Sequence, residues 1–94
     1  MPWEIDDARA LEKMSLVSET DIANYHTWAN FIRNGGDHPR IAAERLGDSH
    51  YERMKGTRES RHQYTIRLNG SERVSFLIHK SINTVEVLQI GGHP

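Results

Sequence analysis

Gln63-Tyr64-Thr65-Ile66-Arg67-Leu68-Asn69-Gly70-Ser71-Glu72-Arg73-Val74-Ser75-Phe76-Leu77-Ile78 alternates apolar and polar residues on both sides of a turn signal, and the alternation predicts a β-hairpin. Tyr64, Ile66 and Leu68 fall at alternate positions, and so do Val74, Phe76 and Ile78, so one face of the hairpin is core. A two-residue Asn69-Gly70 loop would set Ile66 opposite Arg73 and mix the faces. A three-residue loop, Asn69 to Ser71, pairs Ile66 with Val74 and Tyr64 with Phe76, and is the expected connection, with Gly70 or a neighbour at positive φ. Arg67 and Arg73 then become cross-strand neighbours on the non-core face, beside Thr65 and Ser75. Opposed like charges destabilise a sheet unless an anion lies between them.

A further strand, Thr84 to Ile90, follows a turn near Ser81-Ile82-Asn83 and should return antiparallel. It is apolar at both parities, which predicts a central strand covered on two sides. Its return brings Gly91-Gly92-His93 near Arg73, and a histidine beside an arginine on an open face suits a phosphate. Upstream, Asp6 and Asp7 are candidate caps for a helix through Met14. Ser18-Glu19-Thr20-Asp21 resembles a capping box opening a helix with Ile22, Tyr25, Trp28 or Ala29, and Ile32 on one face. Asn34-Gly35-Gly36 ends that helix. Asp37-His38-Pro39 starts another that carries Ile41, Ala42 and Leu46 and stops at Gly47. Trp3-Glu4-Ile5 is a candidate short strand at the sheet edge. The fold class expected is α+β, a small antiparallel twisted sheet of three to four strands against two or three N-terminal helices.

The chain has 94 residues, enough for one domain, read as residues 1–94, with a modest core. Its lack of cysteine excludes a disulfide framework and a Cys-ligated zinc, so packing must hold the fold. Met1-Pro2-Trp3-Glu4 has no cationic stretch followed by an apolar core, and no run approaches the ~18 apolar residues of a spanning helix. A cytoplasmic protein with no membrane partner is expected. The net charge of −1 conceals an asymmetry. Residues 1–50 hold five Lys/Arg against nine Asp/Glu, a balance of −4, and residues 51–94 hold seven against four, a balance of +3. Such a dipole turns the second half toward an anion, although uneven charge in a small domain is also common. His26, His38, His50, His62 and His79 lack zinc-site spacing and are expected at the surface or at caps; no metal or cofactor is expected.

Met54-Lys55-Gly56-Thr57, Gln63-Tyr64-Thr65-Ile66-Arg67-Leu68-Asn69-Gly70, Arg73-Val74-Ser75-Phe76, Val85-Glu86-Val87-Leu88-Gln89-Ile90 and a final His93 together resemble the RelE/ParE toxin superfamily, most closely its HigB (host-inhibition-of-growth) branch. The likeness covers about 40 residues and rests on the order and spacing of the motifs. It implies the toxin of a type II toxin–antitoxin system: a ribosome-dependent endoribonuclease, or mRNA interferase, held silent by a cognate antitoxin protein. Its partners would be that antitoxin, the ribosome and mRNA, with no small-molecule cofactor. Lys55 matches the lysine of the Lys-Gly motif, Arg73 the arginine of the central strand and His93 the terminal histidine. Glu52 stands where the branch often has another histidine, and Gly91-Gly92 replaces an acidic residue and a tyrosine. Family toxins are usually basic, whereas this chain has a pI near 6.6.

Cleavage by a neighbouring 2′-OH needs a base, cations for the charge growing on the phosphoryl oxygens, and an acid for the leaving 5′-oxygen, but no metal. His93 is the candidate acid or base, Arg73 with Arg67 the phosphate clamp, Lys55 a transition-state cation that also binds phosphate, and Glu52 a further candidate base. Against these roles stand plain ones. Arg67 and Arg73 would then pair with Glu59, Glu72 or Glu86, Lys55 would be a solvated turn residue, and His93 a frayed end. The Tyr25/Trp28/Ile32 stripe reads as core, or in part as an antitoxin groove. Two other functions fit the same fold: a ParE-like inhibitor of gyrase, and a catalytically inactive relative that only binds a partner.

Overall fold

A computed structural model describes residues 2–14, 18–47, 50–53, 63–69 and 72–91. The elements run β1 (Glu4–Asp6), α1 (Ala8–Glu12), α2 (Glu19–Arg33), α3 (Pro39–Leu46), β2 (Glu52–Arg53), β3 (Gln63–Asn69), β4 (Glu72–His79), a 3₁₀ turn (Lys80–Ile82) and β5 (Thr84–Ile90). The fold class is α+β, as expected, but the sheet is larger than expected and is mixed. Its five strands lie in the order β1-β5-β4-β3-β2. β1 runs parallel to β5, with Ile5 opposite Val85, and the remaining pairs are antiparallel. The edge strand β1, three residues, forms at the candidate Trp3-Glu4-Ile5 segment, whereas β2, two residues at the other edge, is below the length at which alternation can be read.

Helix α2 begins where the Ser18-x-x-Asp21 pattern places it, with Ser18 Oγ accepting from the Asp21 amide at 3.1 Å. It buries Tyr25, Trp28, Ala29 and Ile32, whereas Ile22 is half-buried. It ends at Asn34, and Gly36 takes φ +70 beside the incoming chain, where a Cβ would meet Pro2 Cβ at 2.8 Å. Only glycine fits that conformation and that approach. The Gly36 carbonyl then accepts from the Trp3 amide at 3.1 Å, which ties the start of β1 to the end of α2. For α3, His38 is the N-cap, its Nδ1 accepting from the Arg40 amide at 3.0 Å, and Pro39 occupies the first turn. Trp28 Nε1 donates to the Pro39 carbonyl at 3.1 Å, so the core indole meets its polar need by fixing α3.

One hydrophobic cluster joins the helices to one sheet face: Tyr25, Trp28 and Ile32 meet Ile66, Val74, Phe76, Val85, Val87 and Ile90. The Trp28 and Phe76 rings lie 5.1 Å apart. Beneath the helices, Asp7 is buried yet satisfied, accepting from Tyr25 Oη at 2.5 Å and from Arg33 Nη2 at 2.8 Å. Burial first, and then the Asp7 carboxylate, push the Tyr25 hydroxyl far above its ordinary range, so it remains a donor.

Two bulges set the faces. In the hairpin, Tyr64 pairs with Phe76, Ile66 with Val74 and Arg67 with Arg73, the predicted register. The odd residue, however, is not in a three-residue loop: Asn69 pairs with Glu72, and the register shifts at Leu68 on β3. Gly70 and Ser71 lie outside the described residues. The carbonyl at this bulge accepts from Asn24 Nδ2 of α2 at 2.8 Å, which meets a backbone group the ladder leaves over. On β5, Phe76 pairs with Val87 and Ser75 with Gln89, so Leu88 is the extra residue. The bulge explains the apolar residues at both parities. Val85, Val87 and Ile90 all reach the core while Leu88 is 40% exposed, so β5 lies inside the sheet but is not apolar on two sides.

Candidate functional site

The sheet face away from the helices carries the predicted cluster. Arg67 and Arg73 oppose each other across β3 and β4, with Thr65 and Ser75 as the next pair and Glu52 of β2 opposite Thr65. Arg73 Nη1 lies 3.5 Å from Glu52 Oε1. The two side chains start from strands that flank β3, roughly 10 Å apart, so both must reach inward over it. Thr65, at the crossing, is small and buried, as is Ser75. A large residue there would block the approach. The carboxylate is thus supplied by a residue two strands away, which eases the opposition of two arginines. Arg67 and Glu72 have interactions of their own.

Glu52 was read as a base and Arg73 as a clamp, and the geometry brings the two together. The pairing of Arg73 with Glu72 or Glu86 is not what is found: Arg73 meets Glu52, and Glu86 Oε1 lies 2.9 Å from His79 Nε2. Glu59 lies outside the described residues. Sequence reading missed His50, whose Nε2 lies 3.8 Å from Glu52 Oε2. No strand spacing announced it, because His50 lies before β2 with φ +51, a left-handed conformation that alternation does not describe. His50, Glu52 and Arg73 therefore form a line of imidazole, carboxylate and guanidinium at the β2 edge.

Lys55 and His93 lie outside the described residues. The approach of the chain toward His93 is visible as far as Gly91, whose amide donates to the Arg73 carbonyl at 2.8 Å. Gly91 has φ +87, a conformation that favours glycine, and it continues the β4–β5 ladder one step beyond Ile90. Gln89 Nε2 donates to the Gly91 carbonyl at 3.0 Å and braces this end. The expected nearness of the terminal segment to Arg73 therefore holds at Gly91. The other histidines take local roles where described: His38 caps α3 and His79 pairs with Glu86. Among the described residues no group of three or more His, Asp or Glu is placed to hold a metal ion, and no helix is long and apolar enough to cross a membrane.

The class these features define is a small α+β domain with a mixed five-stranded sheet and a charged cluster on the face opposite its helices. No protein-family model matches the chain, and comparison with curated proteins gives no significant match.

Proposed function

We propose that the chain is a toxin of the RelE/ParE kind, a metal-independent endoribonuclease acting on translated mRNA in the cytoplasm and silenced by a cognate antitoxin. The observation that carries this reading is the meeting of Glu52 with Arg73 beside Arg67, on the strand end to which Gly91 is bonded. A carboxylate next to two guanidinium-bearing positions offers a proton acceptor and anion-stabilising donors within one phosphodiester's reach. In this scheme Arg73 and Arg67 hold the scissile phosphate, and Glu52 takes the 2′-OH proton. His50 stands behind Glu52 and orients it, while His93 and Lys55 keep the roles their motifs suggest.

The test is a primer-extension map of transcripts after brief induction. Discrete cuts within translated frames are expected. Arg73→Ala should abolish both the cuts and growth arrest while melting stays close to wild type, because an exposed ion pair contributes about 0–1 kcal/mol. A folded Arg73→Ala protein that still cleaves would overturn the assignment. A second reading, a catalytically inactive binder, is favoured by the fact that Arg73 already has a carboxylate partner. Glu52→Gln separates the two. As base, its loss lowers kcat by roughly 10² to 10⁴ with little change in KM; as a mere neutraliser, its loss frees Arg73 and tightens anion binding.

A further inference from the structure

On the opposite side of the sheet, between α3 and the ends of β3 and β4, lies a cleft of about 570 Å³ that has no part in the proposed cleavage site. Its size falls in the range of small-molecule sites, roughly 300–1,000 Å³. Its lining is chemically one-sided. Arg40 and Lys80 supply two exposed cations, His38 an imidazole, Tyr51 and Tyr64 two rings, and Ile41 and Ile78 apolar walls; no carboxylate is among them. Among the described residues neither Arg40 nor Lys80 has an ion-pair partner, in contrast to Arg33, Arg45 and Arg73.

The walls are pre-arranged. Tyr51 stacks on Tyr64 at 5.4 Å between ring centroids and 23° between planes, and Tyr64 stacks in turn on core Phe76 at 6.2 Å and 19°. The Tyr51 ring is therefore held in a column rooted in the core. Burial pushes its hydroxyl up to about 12, which leaves a neutral donor. His38 Nδ1 accepts from the Arg40 amide, so a neutral His38 carries its proton on Nε2. Burial, then the charges of Arg40 and Lys80, hold that imidazole below its ordinary value. Two cations with no ion-pair partner among the described residues thus line the cleft with His38, beside a stacked aromatic ring.

We propose that this cleft binds a nucleoside monophosphate or a ligand of the same chemistry, with its phosphate on Arg40 and Lys80 and its base against the Tyr51 ring and Ile41. Cations without a carboxylate partner favour a dianion, and a fixed ring beside an apolar wall favours a planar heterocycle. The reading is independent of the proposed ribonuclease activity, since it shares no residue with the Arg73 cluster.

The experiment is calorimetric titration of the whole protein with AMP, adenosine and inorganic phosphate, with amide chemical-shift mapping at low salt. AMP should bind about tenfold more tightly than either fragment, and should shift His38, Tyr51 and Ile78 amides. The double variant Arg40→Gln, Lys80→Gln changes only exposed side chains and should melt as wild type while losing AMP affinity about tenfold or more. Phosphate binding as well as AMP would overturn the nucleotide assignment. So would a folded double variant of undiminished affinity, or a folded wild-type protein with no AMP binding at millimolar concentration.

Discussion

Tyr25 carries the sharpest test of the buried polar contacts. Its hydroxyl donates to Asp7 within the core, and Asp7 also receives Arg33, so the three residues lock α1 to α2. Tyr25→Phe removes the donor and leaves Asp7 one partner short, at a cost of about 1–3 kcal/mol. The pH dependence follows from the direction of the Tyr25 shift. A tyrosine whose hydroxyl ionises less readily folded than unfolded contributes stability that is full below its ordinary value of 10.0 and declines as pH rises above it. The stability difference between wild type and Tyr25→Phe should therefore be constant through neutral pH and shrink above about pH 10, measured by urea unfolding across that range. A difference that grows there would contradict the buried contact. None of this was legible in the sequence: Tyr25 was visible as an apolar stripe residue and Asp7 as a helix cap, and nothing in their spacing announced that they meet.

At the scale of elements, the sequence was most informative where periodicity and a chemical signal coincide. Ser18 with Asp21 placed the start of α2, and hairpin alternation placed Arg67 opposite Arg73. It was least informative about extra residues, because a bulge costs one position and leaves no composition signal. The odd residue of the hairpin was assigned to the loop, yet Leu68 holds it. The mixed parity of β5 suggested two-sided burial, yet a bulge at Leu88 produces it. The site suffered the same blindness: Glu52 was chosen by motif position, but its contact with Arg73 depends on the two-residue strand β2, too short to read. The Leu88 bulge makes a testable difference. Deleting Leu88 leaves Val85, Val87 and Ile90 in strict alternation with Glu86 and Gln89, so every core residue keeps its face and Gly91 still reaches Arg73. The deletion variant should fold, with Tm within about 5 °C of wild type. Deleting Glu86 instead shifts Thr84 and Val85 by one position against Val87, which exchanges their faces and should abolish cooperative melting. Equal damage from the two deletions would show that Leu88 is part of the ladder.

At the scale of the molecule, the −4 and +3 balances of the two halves do not become a division between helices and sheet among the described residues. The first half supplies β1 as well as the three helices, so Glu4 and Asp6 lie in the sheet, while α3 carries Arg40 and Arg45. The local charge a partner can use is the arginine pair of β3 and β4, which favours an acidic segment on that face. On the proposed reading that partner is the antitoxin. It must silence an exposed cluster whose own carboxylate, Glu52, contacts Arg73 only at 3.5 Å, a separation that an incoming acidic side chain can compete with. Co-expression with the adjacent open reading frames tests this: one neighbour should rescue growth and co-purify as a complex of nanomolar affinity, about −12 kcal/mol. The salt dependence of its association rate should fall when Arg73 is replaced by Ala, because the arginine face steers the acidic segment. Rescue by neither neighbour would end the toxin–antitoxin assignment, and rescue with an unchanged salt dependence would move the antitoxin to the helical layer.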